Sequence, residues 1–179
     1  MIILWAFGGI GMAWRESRLM QVIWTVIRVY VGWEWFSSGI DKVFGASSAA
    51  WVGSNAGTAV TGFLNSALQK TGGQHPDVQG WYASFIQNVA LPNATIFGYV
   101  VAWGELLVGV GLILGFLTSL ALLAAIVMNM SYLLAGAVST NPVLLFWEGL
   151  LLWAGAAAYF WGVDRIFLPR WKKWRLAKG

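Results

Sequence analysis

The second half of the chain contains three long apolar segments that carry almost no charge. They cover residues 96–114, 117–138 and 143–163, and the only charged side chains within them are Glu105 and Glu148. Each is close to the roughly 20 apolar residues that a helix needs to cross a bilayer. Backbone N–H and C=O groups find no water in hydrocarbon, so such segments must bond internally. The sequence therefore predicts membrane-spanning helices.

A fourth, less apolar segment covers residues 19–40 and contains Arg28 and Glu34. We predict that it also crosses the membrane, with its charged side chains turned away from lipid. Very short links at 115–116 and 139–142 make the three later helices antiparallel neighbours. The predicted fold is an all-α, integral membrane four-helix bundle.

The composition argues against a soluble globular domain. Of the 179 residues, 59% are hydrophobic and 10% are charged, whereas soluble domains carry about 25% charged residues. The chain also has 13 tryptophans and 22 glycines. These numbers agree with a membrane protein, because Trp is enriched where lipid meets water and Gly is more frequent in membrane helices.

The distribution of basic residues predicts the orientation. We interpret residues 1–18 as an interfacial segment and residues 165–179 as a basic tail at an anionic leaflet. With four spans these segments share one side, which then holds most of the Lys and Arg residues. Both termini are therefore expected in the cytoplasm. Trp171 and Trp174 within the tail favour a membrane role over nucleic-acid binding.

Residues 43–95 form a long extracytoplasmic loop between the first and second predicted spans. A connection of this length is expected to contain structure of its own. Two runs within it have helical apolar spacing but are too short to span the membrane. We predict two amphipathic helices that lie on the outer leaflet and cap the mouth of the bundle. Their apolar residues are Val60, Phe63, Leu64, Ala67 and Leu68 in the first, and Trp81, Phe85, Ile86 and Val89 in the second.

The chain contains no cysteine and one histidine, His75. It cannot itself supply the ligands of an iron–sulfur cluster, a thiol relay or a haem held by two histidines. His75 lies in the turn GGQHPD, where a solvated side chain is the favoured interpretation. Without a second His or a Cys, a metal site has little support.

Ionisable side chains inside the predicted spans mark the candidate site, because an ion at bilayer depth costs about 2.5–3.5 kcal/mol. Arg28, Trp35 and Lys42 recur every seven residues and share one stripe of the first helix. Glu34 and Asp41 form a second stripe roughly a third of a turn away. The helix therefore presents cationic and anionic lines to different neighbours.

The later helices add further polar groups, and in the fourth span Glu148 shares a stripe with Gly155 and Gly162. Glu105 shares one face of the second span with Gly98, Ala102 and Gly109, and small residues let a neighbouring helix approach closely. Asn129 in the third span can both donate and accept hydrogen bonds. Glu105 and Asn129 are both expected to face the interior of the bundle.

Two interpretations of these polar residues remain open. In the structural one, a buried Arg28–Glu105 or Arg28–Glu34 pair fixes helix register. In the functional one, an aromatic-walled pocket holds a quinone, whose carbonyl oxygens accept from Arg or Asn while a carboxyl group carries a proton. The candidate catalytic residues are Glu105, Glu34 and Arg28, and the candidate quinone-binding residues are Arg28, Trp35, Asp41, Lys42 and Asn129.

The stretches RVYVGWEWFSSGIDKVFG and GELLVGVGLILGFLT resemble the DoxX/DoxD family of small bacterial and archaeal membrane proteins. The second stretch carries that family's Gly-Glu, Gly and Gly-x-x-Thr pattern. Gly162 and Asp164 are similar to the family's ending, although Gly-Val replaces the usual Ser-Leu before the Asp. The pattern residues are Gly104, Glu105, Gly109, Gly115 and Thr118. The resemblance covers roughly residues 28–165 and implies a four-helix bundle in the cytoplasmic membrane.

The resemblance also implies a function. The name-giving members are subunits of a thiosulfate:quinone oxidoreductase, which passes electrons to membrane quinone beside a partner subunit. The leading hypothesis is therefore a quinone-interacting membrane subunit of an oxidoreductase, with the thiosulfate dianion handled at the outer mouth by Lys42, Lys70 or a partner. The alternative is a non-catalytic anchor or assembly subunit of a redox complex, and a small-solute transporter is third.

The expected partners follow from the same hypothesis. They are the lipid bilayer and a membrane or extracytoplasmic redox subunit, with a homo-oligomer left open and nucleic acid excluded. Quinone is the expected substrate. No haem, iron–sulfur cluster or metal is expected on this chain's own Cys or His residues.

Overall fold

The computed structural model describes residues 17–166. This range is helical and contains no strand, which confirms the all-α prediction for the described part of the chain. The predicted interfacial segment and basic tail lie almost entirely outside it. The helices are α1 (Arg18–Phe44), α2 (Ser48–Trp51), α3 (Thr58–Leu68), α4 (Gly80–Phe85), α5 (Ala94–Leu114), α6 (Thr118–Leu134) and α7 (Asn141–Ala154).

One helix among residues 17–166, α5, is long and apolar enough to cross a membrane by length and composition. Its bounds lie close to the predicted span 96–114. Helix α6 is apolar but shorter, and α1 is longer but carries Arg28 and Glu34. One of the four predicted spans thus coincides with a helix whose length and composition would allow it to cross a membrane.

Helix α7 ends well before the predicted limit at Val163. Gly155 takes a positive φ of 57°, and a 3₁₀ turn, Gly155–Ala157, follows it. Glycine adopts this conformation without the steric cost that a Cβ brings. The apolar run of the fourth segment is therefore divided between a helix and a set of turns, a difference that hydropathy alone does not reveal.

Helices α1 and α5 pack antiparallel at very short range, as the small-residue face predicted. A Cβ on Gly39 would overlap the backbone of Glu105 and Leu106, and a Cβ on Gly109 would overlap the backbone of Phe36. Nearer the other end, a Cβ on Gly32 would lie 2.9 Å from the Ile113 nitrogen. These contacts fix how far one helix is slid along the other.

Helix α6 packs between α5 and α7, and α7 also contacts α1, so that the four longest helices form a closed ring. Apolar side chains that are almost completely buried between them include Val31, Leu112, Leu122 and Leu151. The outward faces of the same helices are also apolar and include Val26, Val100, Leu107, Leu120 and Val127. Such a continuous exposed apolar surface is typical of a protein that lipid surrounds.

The loop between α1 and α5 forms a cap over one end of this ring. Helix α3 lies at the first predicted run and buries its stripe of Val60, Leu64 and Ala67. Helix α4 continues into a π-helical turn, Ile86–Ala90. This second unit buries Tyr82, Ile86 and Ala90 and leaves Trp81, Phe85 and Val89 exposed.

Candidate functional site

A cavity of about 900 Å³ lies between the ring of helices and the cap. We call it the aromatic cavity, because rings from six helices form much of its wall: Trp35, Trp51, Phe63, Tyr82, Phe97 and Tyr132. Its charged lining residues are Glu34, Asp41, Lys42 and Glu105. A concave, mostly apolar space with a few convergent polar groups has the general form of a small-molecule site.

An ion pair between Lys42 and Glu105 lies in the wall of the aromatic cavity. The Lys42 Nζ donates to Glu105 Oε2 and, at 2.6 Å, to Ser38 Oγ. It also lies 5.0 Å from the centre of the Trp51 ring, within the range of a cation–π contact. The side chain of Glu105 is 4% exposed and that of Lys42 is 15% exposed. The ammonium group is therefore the more accessible member of the pair.

Tyr132 on α6 completes the surroundings of Glu105. Its O–H donates to Glu105 Oε1 at 2.7 Å, so each carboxylate oxygen has a donor. The Tyr132 ring also lies 6.4 Å from the Trp35 ring and 6.2 Å from the Phe63 ring, measured between centroids. The phenol is thus held between the ion pair and the aromatic wall.

A second polar cluster lies behind Trp35. The Trp35 Nε1 donates to Glu148 Oε1 at 2.8 Å, and Asn129 Nδ2 lies 2.8 Å from both Glu148 oxygens. Asn129 and Glu148 are fully buried and do not line the aromatic cavity. Glu148 is absent from the candidate list, although an ionisable residue in an apolar helix is the same signal that marks Glu105.

Arg28 is far from the place that the sequence predicts for it. Its Nη1 donates to the carbonyl oxygens of Leu112 and Ile113, and its Nη2 donates to that of Trp161 at 3.1 Å. The predicted Arg28–Glu105 and Arg28–Glu34 pairs do not form. Arg28 is 1% exposed and satisfies the carbonyl groups at the end of α5, which have no partner within the helix.

Asp164 lies in the same region and holds the start of α6. Its two oxygens accept from the backbone nitrogens of Leu117 and Thr118 at 2.8 and 2.7 Å, and it attracts the Arg28 guanidinium. Gly115 and Gly162 bring their backbones together beside it. We call this group, Arg28, Gly115, Gly162 and Asp164, the α5–α6 clamp.

The family pattern is therefore divided between several places, and its Gly109 lies at the close contact of α1 with α5. Glu105 lies in the wall of the aromatic cavity, whereas Gly115, Thr118, Gly162 and Asp164 lie in or beside the α5–α6 clamp. Glu105 is therefore placed where it could contact a ligand. The residues in or beside the clamp join the ends of helices, so folding explains their place in the family pattern.

The remaining candidate residues lie at the edge of the cavity. Asp41 is exposed and accepts from Ser47 Oγ at 2.6 Å, and Glu34 is partly exposed. On the cap, burial raises the pKa of the Tyr82 phenol, whose O–H donates to the Ser131 carbonyl oxygen at 2.9 Å. The phenol therefore stays a neutral donor. Among residues 17–166, no group of three or more His, Asp or Glu side chains could hold a metal ion.

Comparison with known proteins agrees with the resemblance read from the sequence. The family model of DoxX matches residues 23–137, more than half of the chain. The matched part contains Lys42, Glu105 and Tyr132 and ends before α7 begins. No curated protein and no solved structure matches the chain.

Proposed function

We propose that this chain, which belongs to the DoxX family of membrane proteins, is a quinone-binding membrane subunit of an oxidoreductase. In this proposal α1, α5, α6 and the region from α7 to Val163 cross the membrane, and both termini are cytoplasmic. Two features support this arrangement: the outer surface of the ring is apolar, and most Lys and Arg residues lie on the side proposed as cytoplasmic. The cap and the aromatic cavity then lie at the extracytoplasmic end.

The aromatic cavity is the observation that carries the proposal. Its volume of about 900 Å³ lies within the usual range for ligand sites, about 300–1,000 Å³. A quinone headgroup is a flat apolar ring with two carbonyl acceptors. Aromatic side chains can pack on that ring, while Lys42 Nζ and Tyr132 O–H are donors in the same wall.

Reduction of a quinone to a quinol takes two electrons and two protons, one proton for each carbonyl oxygen. The electrons would come from a redox partner subunit, because this sequence has no Cys and a single His with which to hold a redox metal. Each proton that Lys42 or Tyr132 gives to the quinone would be replaced from water through Glu105, which bonds to both donors. This assigns proton handling to the chain and electron supply to its partner.

The charge of the cavity wall argues against thiosulfate binding within it. The lining has three carboxyl groups, Glu34, Asp41 and Glu105, against the single ammonium group of Lys42. A dianion entering this wall would meet net negative charge. Thiosulfate oxidation, where it occurs, is therefore assigned to the partner subunit.

A binding experiment tests this proposal on the full chain in lipid nanodiscs. A short-tailed, water-soluble quinone is titrated, and the quenching of tryptophan fluorescence is measured. The Trp35→Phe variant shows how much of the quenching comes from the tryptophan in the cavity wall. We expect saturable quenching in the wild type and at least tenfold weaker binding in Lys42→Met, a loss of about 1.4 kcal/mol. Lys70→Met is the matched control, since Lys70 bonds the Gly136 carbonyl oxygen outside the cavity wall.

The outcome separates the two functional hypotheses. Equal quenching in the wild type and in Lys42→Met would place quinone elsewhere, in lipid or on the outer surface. No saturable binding at all would leave the anchor or assembly role as the better explanation. In that case the Lys42 and Glu105 variants should change complex formation or nothing.

A further inference from the structure

Glu148 is a buried carboxyl group that belongs neither to the proposed chemistry nor to the α5–α6 clamp. It lies in the middle of α7 with 0% exposure. Three contacts at 2.8 Å surround its oxygens, one from Trp35 Nε1 and two from Asn129 Nδ2. Both donors are uncharged side chains.

The charged groups nearby already have partners. Helix α7 packs against α1 and α6, whose inward-turned titratable side chains are Arg28, Lys42 and Tyr132. Arg28 bonds backbone carbonyl groups at the end of α5, and both Lys42 and Tyr132 bond Glu105. The ion pair that residues 17–166 contain is Lys42–Glu105. A second carboxylate beside this cluster would be buried without a cation, which is costly in a medium that cannot solvate it.

Asn129 supplies an independent observation. Its Oδ1 is buried and has no hydrogen-bond partner. Such orphaned acceptors are rare in folded proteins and call for a donor. A half-turn of the amide would bring Oδ1 to Glu148, but a carboxylate has no hydrogen to give it. A carboxylic acid does.

We propose that Glu148 is held as a neutral carboxylic acid that donates its O–H to Asn129 Oδ1 and accepts from Trp35 Nε1. In this form Trp35 Nε1, the Glu148 O–H and Asn129 Oδ1 all have partners, and the half-turn moves Asn129 Nδ2 to the side where Oδ1 has none. Glu148 is then a positioning residue, because it fixes the indole of Trp35 against the aromatic cavity. Glu148 and Glu105 then differ in charge: Glu105 is the ionised partner of Lys42, and Glu148 is a neutral acid.

Infrared difference spectroscopy on the full chain in nanodiscs tests the charge state without any ligand. At neutral pH we expect a carboxylic acid C=O band in the wild type that shifts in D₂O, disappears in Glu148→Gln and persists in Glu105→Gln. Absence of the band in the wild type, or its persistence in Glu148→Gln, would overturn the proposal. This readout stands even if quinone does not bind.

Two substitutions test the positioning role, and this part rests on the proposed function. Glutamine can accept from Trp35 and donate to Asn129, so it copies the acid but not the carboxylate. We expect Glu148→Leu to weaken quinone binding about tenfold and Glu148→Gln to restore it to within about twofold of the wild type. Equal losses in Glu148→Gln and Glu148→Leu would contradict a neutral Glu148. Thermal unfolding identifies any variant that loses affinity because it does not fold.

Discussion

Trp35 and Tyr132 lie with their ring centroids 6.4 Å apart, and each donates a hydrogen bond to a different buried carboxyl group. Tyr132 bonds Glu105 in the wall of the aromatic cavity, and Trp35 bonds Glu148 behind that wall. Two polar clusters on four helices are thus joined by one aromatic contact. A change in either cluster is therefore expected to reach the cavity wall through these rings.

Lys42→Met should destabilise the protein more than a surface lysine change does. It leaves Glu105 buried without its cation, and breaking a buried pair in this way costs about 3–5 kcal/mol. The double variant Lys42→Met with Glu105→Gln should recover most of this loss, since no unpaired charge then remains. Thermal unfolding in a fixed detergent measures the three proteins side by side. Equal melting temperatures for the wild type and Lys42→Met would mean that the pair contributes nothing to stability.

The faces of the helices are predictable from sequence, whereas their register is not. The seven-residue spacing puts Arg28, Trp35 and Lys42 on one stripe, and all three do turn inward. Arg28 and Lys42 are separated by roughly 21 Å along that stripe, at 1.5 Å per residue. Which of them meets Glu105 depends on how far α1 is slid along α5, and hydropathy does not encode this.

The register follows from where glycine permits the backbones to touch. Gly39 meets Leu106, and Gly32 meets Ile113, so each step along α1 is matched by a step back along α5. Lys42 is thereby placed at Glu105, and Arg28 at the end of α5. The glycines are visible in the sequence, but their pairing across two helices is a tertiary property.

Arg28→Met should separate stability from binding. The change removes the donors of three backbone carbonyl groups and the cation beside Asp164, so we expect a loss of about 3–5 kcal/mol in unfolding free energy. Quinone affinity, measured at a temperature where the variant is folded, should stay within about twofold of the wild type. Arg28 lies outside the wall of the aromatic cavity. If a folded Arg28→Met protein lost quinone affinity, Arg28 would have to be part of the binding site.

Gly109→Ala should destabilise the contact between α1 and α5. The new methyl group would overlap the backbone of Phe36, and overpacking of this kind costs about 1–3 kcal/mol. Gly149→Ala is the matched control, because a Cβ at Gly149 meets nothing within 4 Å. In a helix interior that change should be neutral or stabilise by up to about 1 kcal/mol. Similar melting temperatures for the two variants would show that the close approach of α1 and α5 is not needed.

Single cysteines test the proposed four spans, and the natural chain offers a clean background because it has none. Four exposed positions are suitable: Thr71 in the cap, Ser119 at the start of α6, Thr140 before α7, and Ile166. In intact cells an impermeant maleimide should label Thr71→Cys and Thr140→Cys at once. Ser119→Cys and Ile166→Cys should react only after permeabilisation.

Thr140 is the decisive position of the four. If α5 crosses the membrane and α6 does not, Thr140→Cys must behave like Ser119→Cys, because no further crossing separates them. If α6 crosses and α7 with its following turns does not, Ile166→Cys must behave like Thr140→Cys. The proposed bundle requires the pattern to alternate at every step along the chain. The 17-residue α6 is shorter than the roughly 20 residues of a usual span, so labelling at Thr140 tests the least secure crossing directly.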